Sequence, residues 1–216
     1  EAIRQRLAHG YYAACSFIDA QVGRVLDELE RLGLAENTVI VFWGDHGFHL
    51  GENGIITKRT NYEVDLNAPL IISVPEHKEI DRGGQSDALV EFVDIFPTLC
   101  DLAGLDVPAQ CAGDSVVPLL KNPAEKFKAA VFSLNARGWQ HPYLGFAMRT
   151  DRYRYIRWED PAGDSVAEEL YDYKKNPDEV RNLIENPEYR RTLRTLRQTF
   201  DSKRPRVSHA KRPEAP

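Results

Sequence analysis

Three side chains that could do chemistry lie within one short segment. Asp45 and His46 directly follow the apolar run Val39–Trp43, and Lys58 comes thirteen residues after Asp45, beyond a glycine-rich stretch. A carboxylate can bind a divalent cation, and an ammonium group beside that cation can hold a tetrahedral oxyanion such as sulfate or phosphate. The alternative is that Asp45 caps local backbone amides while His46 and Lys58 are solvated loop residues.

The run that precedes Asp45 predicts where this chemistry would lie in the fold. Val39–Trp43 is almost continuously apolar and follows the turn-forming pair Glu36-Asn37, which predicts a strand buried on both faces of a helix-covered sheet. In open α/β sheets, ligands bind outside the carboxyl ends of the strands. Gly44 and Gly47 would allow the chain to turn sharply there and a ligand to approach the backbone closely. Asp45 and His46 are therefore candidate site residues.

The flanking segments predict an α/β fold. An N-terminal amphipathic helix would end at Gly33, and its alternation with buried strands, the second being Ala68–Pro75, is typical of a parallel sheet. A further helix is predicted from Asp94 as its N-cap to Gly104 as its end. The apolar stripe of the first helix recurs every three or four residues and consists of Leu7, Tyr11, Cys15, Ile18, Val22, Val25, Leu29 and Leu32.

The character of the chain changes after about Pro123. The segments "AAVFSL", "GFAMRTDRYRYIRW" and "EELYDY" predict three strands of a small antiparallel sheet. The apolar spacing from Val180 to Phe200 then predicts a helical segment that Pro187 divides into two helices. We therefore divide the chain into a core at 1–122, a small subdomain at 123–201 and a mobile tail at 202–216.

Composition excludes two classes of function. The 216 residues carry a net charge of −5, which offers no basic field for a nucleic-acid partner. The longest apolar run is too short to span a membrane. The three cysteines, Cys15, Cys100 and Cys111, show no metal-ligand spacing, and a bridge between Cys100 and Cys111 stays open.

Several blocks in a fixed order carry a family resemblance. The blocks are "YYAACSFIDAQVGRVLDELERLGLAENTVIVFWGDHGFHLGENGIITKRTNYEVDLNAPLIISVP" and "LVEFVDIFPTLCDLAGL", and more weakly "GFAMRTDRYRYIRW" and "ELYDYKKNPDEVRNL". They resemble the sulfatase family, a branch of the alkaline phosphatase superfamily, and iduronate-2-sulfatase-like members most of all. The resemblance implies the C-terminal part of an alkaline-phosphatase-like mixed or parallel sheet flanked by helices, with a small subdomain of antiparallel strands and a helix.

The resemblance also implies roles for individual residues. Asp45 matches an aspartate that ligates a divalent cation, usually Ca²⁺, and His46 occupies the neighbouring ligand position, where other members carry Asn. Lys58 matches the lysine that contacts the sulfate group and is the one catalytic residue carried over. Imidazole is an unusual ligand for calcium, so His46 could face the sulfate instead. Substrate-binding candidates near the pocket are Phe48, His49 and His141, with Trp139 beside His141.

The nucleophile of the family is missing from this sequence. Sulfatases use a formylglycine made from the cysteine or serine of a Cys-x-Pro-x-Arg motif, and none of the three cysteines here lies in such a motif. The sequence therefore resembles the C-terminal half of a sulfatase, and its implied partners are an N-terminal half and a sulfated small molecule or glycan. By resemblance we also expect export, to the periplasm, the extracellular space or a lysosome-like compartment.

Three functions remain open at this stage. The first is part of an enzyme that hydrolyses sulfate esters together with the N-terminal half. The second is a non-catalytic remnant that binds a sulfated or acidic glycan or a partner protein. The third is a phosphoesterase of the same superfamily, which would need further Asp and His ligands for two transition-metal ions.

Overall fold

The chain forms two compact units. The computed structural model describes residues 2–75, 80, 83–138 and 143–205. The first unit comprises the chain up to Lys58 and Asn67–Phe127, and the second comprises Arg59–Leu66 and the chain from Lys128 onward. The short segment Arg59–Leu66 therefore groups with the C-terminal part, although it lies far from it in the sequence. The predicted tail lies mostly outside the described residues.

The first unit begins with the predicted long helix. Helix α1 spans Ala2–Arg31, and Gly33 ends it in a left-handed conformation with φ +69°. The Gly33 amide donates to the Glu30 carbonyl at 2.9 Å and the Leu34 amide to the Leu29 carbonyl at 3.1 Å, which closes the last turn. The predicted apolar stripe, however, is not buried by the described residues: α1 has no buried residue, and Val25 is 68% exposed.

The two core strands pair antiparallel, which a mixed sheet allows but the purely parallel sheet suggested by the alternation of helix and strand does not. Strand β1 (Ile40–Trp43) pairs antiparallel with β4 (Leu70–Ser73), with Ile40 opposite Ser73 and Trp43 opposite Leu70. A parallel pair needs a crossover, usually a helix, that returns the chain to the same end of the sheet. Burial on both faces is also not observed, since Trp43 is 47% exposed.

The first unit also contains two helices that follow β4 in the chain. Helix α3 spans Ile95–Leu102 with Asp94 as its N-cap, as predicted, and a short α4 spans Val117–Lys121. The buried Asp94 carboxylate accepts the backbone amides of Glu91 at 2.8 Å and Asp114 at 2.9 Å. It therefore ties the helix start to a distant loop. Cys100 and Cys111 are free thiols.

The second unit is built on an antiparallel meander of four strands, in which each strand pairs with the next one along the chain. The segment predicted as a single strand at 145–158 is two strands joined by a tight turn, in which the Thr150 amide donates to the Tyr153 carbonyl at 2.8 Å. The sequence-based count of three strands is therefore wrong. The strands are β5 (Val131–Arg137), β6 (Tyr143–Arg149), β7 (Tyr153–Glu159) and β8 (Ser165–Asp172).

A single C-terminal helix covers one face of this sheet. Helix α5 spans Arg190–Lys203 and follows a short 3₁₀ turn at Pro187–Tyr189. The predicted helix before Pro187 does not form, and Glu179 has a left-handed backbone with φ +52°. The fully buried residues between sheet and helix are Met148, Tyr155, Leu170 and Phe200. Among the described residues, no helix is long and apolar enough to cross a membrane.

The opposite face of the sheet carries the segment Arg59–Leu66, whose last turn is the short helix α2 (Glu63–Leu66). The Asn61 side chain donates to the Gly145 carbonyl at 3.0 Å, and the buried Arg154 donates to the Asn61 carbonyl at 3.0 Å. A Cβ added to Gly145 would lie 2.6 Å from the Asn61 Nδ2, so the close approach requires glycine there.

Arg154 organises this attachment. Its Nε lies 2.7 Å from Oε1 of Glu179, and its Nη2 pairs with the carboxylate of Glu63. The Glu63 backbone amide donates in turn to Oε2 of Glu179 at 2.7 Å. Tyr173 accepts a further hydrogen bond from Arg154 at 2.7 Å. A charged network at the buried face of the sheet therefore holds the segment Arg59–Leu66.

Candidate functional site

A short β-hairpin brings the candidate residues of the first unit together. Strand β2 (His49–Leu50) pairs with β3 (Ile56–Thr57), with His49 opposite Thr57 and Leu50 opposite Ile56. When this pairing is continued for one more residue, Phe48 lies opposite Lys58. Lys58 then lies next to the segment that follows β1. The turn between the strands uses left-handed conformations at Gly51, Asn53 and Gly54, residue types that tolerate positive φ.

Asp45, His46 and Lys58 form one cluster. Nζ of Lys58 lies 2.6 Å from Nε2 of His46, and Oδ2 of Asp45 lies 3.1 Å from the same nitrogen. Nδ1 of His46 lies 2.8 Å from the Gly47 carbonyl. Because a carbonyl only accepts, we assign the imidazole proton to Nδ1, which leaves the lone pair of Nε2 to accept from Lys58. Sequence reasoning expected these three residues at one site, and the hairpin brings them together.

The cluster is accessible and has both signs of charge. The side chain of Asp45 is 82% exposed and that of His46 is 33% exposed. A carboxylate and an ammonium group beside the same imidazole nitrogen can bind a cation and an anion next to each other. The carboxylate alone would repel a sulfate or phosphate ester, so oxyanion binding here favours a cation at Asp45.

The donor set fits part of a cation site. Nε2 of His46 and Oδ2 of Asp45 lie 3.1 Å apart, so a cation that takes the place of the Lys58 ammonium group at Nε2 can be bound by both. The bond from Nδ1 to a backbone carbonyl is the usual way in which a ligating histidine is oriented. Calcium needs six to eight oxygen ligands. The described residues contain no group of three or more His, Cys, Asp or Glu side chains that could hold a metal ion.

The substrate-binding candidates lie in three different settings. Phe48 is half-buried and its ring stacks on Tyr11 of α1, with 5.2 Å between ring centroids. His49 is fully buried, and its Nδ1 lies 3.2 Å from the Glu52 carbonyl. His141 and Trp139 lie outside the described residues. Their roles in substrate binding stay predictions.

Helix α1 contacts the hairpin through two residues that sequence reasoning did not assign to the site. Besides the Tyr11 ring, Nε of Arg4 donates to the Leu50 carbonyl at 3.0 Å. Glu52 completes the hairpin because its carboxylate accepts the Leu50 amide at 2.6 Å, and hydrogen bonds from backbone amides lower the pKa of this carboxyl. Only the helical spacing of Arg4 and Tyr11 could have indicated this role.

Comparison with known proteins places the chain in a family. Residues 51–206 match the family described as "N-sulphoglucosamine sulphohydrolase, C-terminal". The chain belongs to the sulfatase family. The predicted family and the α/β fold class are thereby confirmed, since solved structures similar in fold include a 2-O GAG sulfatase, at a TM-score of 0.75 and 33% identity over 86% of this chain and 40% of that one.

The relatives of this sulfatase chain are considerably longer. It is 35% identical to N-acetylglucosamine-6-O-sulfatase of Bacteroides thetaiotaomicron, over 91% of this chain and 35% of that protein. It is 29% identical to iduronate 2-sulfatase of Mus musculus, over 91% of this chain and 47% of that protein. The sulfatase chain thus spans about a third of the length of the first curated relatives.

Two solved structures show the range of chemistry among neighbours of this sulfatase chain. One is in complex with its substrate D-glucosamine-2-N,6-O-disulfate, at a TM-score of 0.77 and 33% identity over 86% of this chain and 37% of that one. Another is the phosphonate monoester hydrolase of Agrobacterium radiobacter, at a TM-score of 0.76 and 25% identity over 86% of this chain and 38% of that one.

Proposed function

We propose that this chain is the C-terminal part of a sulfatase that hydrolyses sulfate esters of sugars. The observation that carries the proposal is the cluster in which Lys58 Nζ and Asp45 Oδ2 both approach Nε2 of His46, at 2.6 and 3.1 Å. Family membership supports sulfuric ester hydrolysis as its reaction. The substrate class rests on relatives that act on sulfated sugars.

Each residue of the cluster has a role in this reaction. Asp45 and His46 supply two ligands to a divalent cation, Ca²⁺ or another ion, which would neutralise charge on the sulfate oxygens. The Lys58 ammonium binds a sulfate oxygen in place of Nε2 of His46 and stabilises the charge that develops during S–O cleavage. Hydrolysis consumes one water and releases sulfate and the sugar alcohol.

The remaining groups come from an N-terminal part of the same sulfatase. We propose that this part carries the formylglycine nucleophile and the other metal ligands, and that it covers the apolar face of α1. The length of the relatives supports this proposal, as does the exposure of Ile18 and Val25 on that face, at 53% and 68%. Export is proposed on the family resemblance alone.

The test is hydrolysis by the full-length gene product. Glucosamine 6-sulfate and a 2-O-sulfated uronate are supplied as substrates, and released sulfate is measured with and without Ca²⁺. Lys58→Met and Asp45→Asn should each lower kcat/KM by at least 10²-fold, in the range found when one transition-state donor is removed. Lys175→Met, which removes an exposed lysine paired with Glu188 at 3.9 Å, is the matched control and should leave turnover unchanged.

Two outcomes distinguish the competing functions. Hydrolysis of a phosphonate or phosphate ester in preference to every sulfate ester would favour the phosphoesterase, which the similarity to a phosphonate monoester hydrolase keeps as the second candidate. Saturable binding of a sulfated glycan without turnover of any ester would favour the non-catalytic remnant. A Lys58→Met variant that turns over the sulfate ester as fast as the wild type would contradict the role given to Lys58.

A further inference from the structure

Helix α1 contacts the site hairpin at two points on one helix face. Arg4 and Tyr11 are seven residues apart, two helical turns, so their side chains lie on the same side of α1. Arg4 donates to the backbone carbonyl of Leu50, and the Tyr11 ring stacks on Phe48 with an interplanar angle of 28°. Phe48 directly precedes β2 and Leu50 ends it, so both contacts lie on the same strand of the hairpin or next to it.

These contacts lie next to the cluster in the chain. Phe48 is two residues after His46, and by the hairpin register it is opposite Lys58. Between β1 and β2, the Gly44 amide donates to the Pro69 carbonyl at 3.0 Å, and Nδ1 of His46 lies 2.8 Å from the Gly47 carbonyl. A displacement of Phe48 would therefore move both His46 and Lys58, whose nitrogen atoms are 2.6 Å apart.

The backbone at the hairpin turn is shaped to accept Arg4. Gly51 has φ +129°, and a Cβ added there would lie 2.2 Å from Cζ of Arg4. Glycine thus provides both the turn conformation and the space for the guanidinium group beside the hairpin. Tyr11 is half-buried at this contact, and its burial raises the pKa of the Tyr11 hydroxyl group.

We propose that Tyr11 and Arg4 are positioning residues of the sulfatase site: they fix the hairpin so that His46, Lys58 and Asp45 hold their spacing. Tyr11 acts through Phe48 and touches no reacting atom. A stack with the ring of Phe48 needs an aromatic side chain and not the hydroxyl group. The expected effect on sulfate-ester hydrolysis rests on the proposed function. The expected effect on the position of the hairpin does not.

The first measurement is amide hydrogen exchange, by mass spectrometry of peptides that cover residues 44–58, in the full-length gene product. Tyr11→Ala should accelerate exchange in these peptides by about 2- to 12-fold, the range expected from losing one aromatic pair. Tyr11→Phe should exchange as the wild type does. Phe17→Ala is the matched control, since it removes an aromatic ring that is 64% exposed on the same helix.

The second measurement is hydrolysis of the sulfated sugar by the same variants. Tyr11→Ala should lower kcat/KM by about 10-fold or more through misplacement of Lys58, and Tyr11→Phe should restore it. Arg4→Met should likewise accelerate hydrogen exchange in the peptides that cover residues 44–58 and lower kcat/KM.

Three results would overturn the inference. The first is that Tyr11→Ala leaves hydrogen exchange at residues 44–58 unchanged. The second is that Phe17→Ala accelerates this exchange as much as Tyr11→Ala does. The third is that Tyr11→Phe accelerates exchange and lowers turnover as Tyr11→Ala does. A wild-type protein that hydrolyses no sulfate ester would contradict the proposed function instead, and the exchange comparison would still decide whether α1 fixes the hairpin.

Discussion

Removal of the Arg154 guanidinium should destabilise the second unit more than any exposed charge change. Arg154 is buried, with 2% of its side chain exposed, and its ion-pair partner Glu179 is equally buried. Arg154→Met keeps most of the volume but leaves the Glu179 carboxylate without its main counter-charge. Breaking a buried ion pair by removing one partner costs about 3–5 kcal/mol. We expect a loss of that size in the unfolding free energy of the unit.

The assay is amide hydrogen exchange in peptides from β7 and β8, under conditions where exchange reports the opening equilibrium. A loss of about 3–5 kcal/mol corresponds to roughly 10²- to 10⁴-fold faster exchange. Lys175→Met is the control, because Lys175 and Glu188 are both largely exposed and 3.9 Å apart. An exposed pair contributes at most about 1 kcal/mol, or roughly fivefold in exchange.

A second variant separates the charge from the packing. Arg154→Met combined with Glu179→Gln removes both buried charges, so the double variant should recover part of the stability that the single variant loses. A single variant whose exchange changes no more than that of Lys175→Met would refute the reasoning. A loss in the double variant equal to the sum of the losses in Arg154→Met and Glu179→Gln, each measured alone, would show that the two groups do not interact.

Two further predictions concern acid and the hairpin turn. Hydrogen bonds from Arg152 lower the pKa of Asp172 from 3.8 to about 2. The ionised Asp172 carboxylate therefore contributes about 2 kcal/mol to the unfolding free energy above pH 4, and this contribution is lost as the pH falls towards 2. Urea unfolding between pH 6 and pH 2 should show this loss, and Asp172→Asn should remove that part of the pH dependence. Gly51→Ala should lower the unfolding free energy by about 1–3 kcal/mol, because residue 51 has a positive φ. Gly10→Ala should instead raise thermal stability, because nothing lies within 4 Å of the added methyl group. An equal effect of both substitutions would contradict this account.

Helix boundaries followed from local signals, and strand partners did not. The end of α1 at Gly33 and the start of α3 at Asp94 depend on residues within one turn, so the sequence predicted both. The antiparallel pairing of β1 with β4 depends on the path of the intervening chain, which periodicity does not encode. Likewise, the turn inside 145–158 consists of polar residues that also suit an exposed strand, so the sequence predicts one strand where the structure has two.

The buried charges show the same limit at the level of side chains. The alternating arginines of β7 are typical of a solvent-exposed strand face, yet Arg154 is buried under the segment Arg59–Leu66. Its partners Glu63 and Glu179 lie more than 20 residues away on either side in the sequence. Such a network exists only once the chain has folded, and no local pattern indicates it.

The candidate site was more predictable than the sheet because its geometry is local. The loop between the strands spans residues 51–55 and contains Gly51, Asn53 and Gly54, residue types that tolerate positive φ. The pairing of residue 49 with 57, continued by one residue, places residue 48 opposite 58. A one-residue change in the turn would shift this register and turn alternate side chains to the other face. The spacing between Asp45 and Lys58 therefore carries geometric information, since it is the hairpin register that brings the ammonium group of Lys58 to the imidazole of His46.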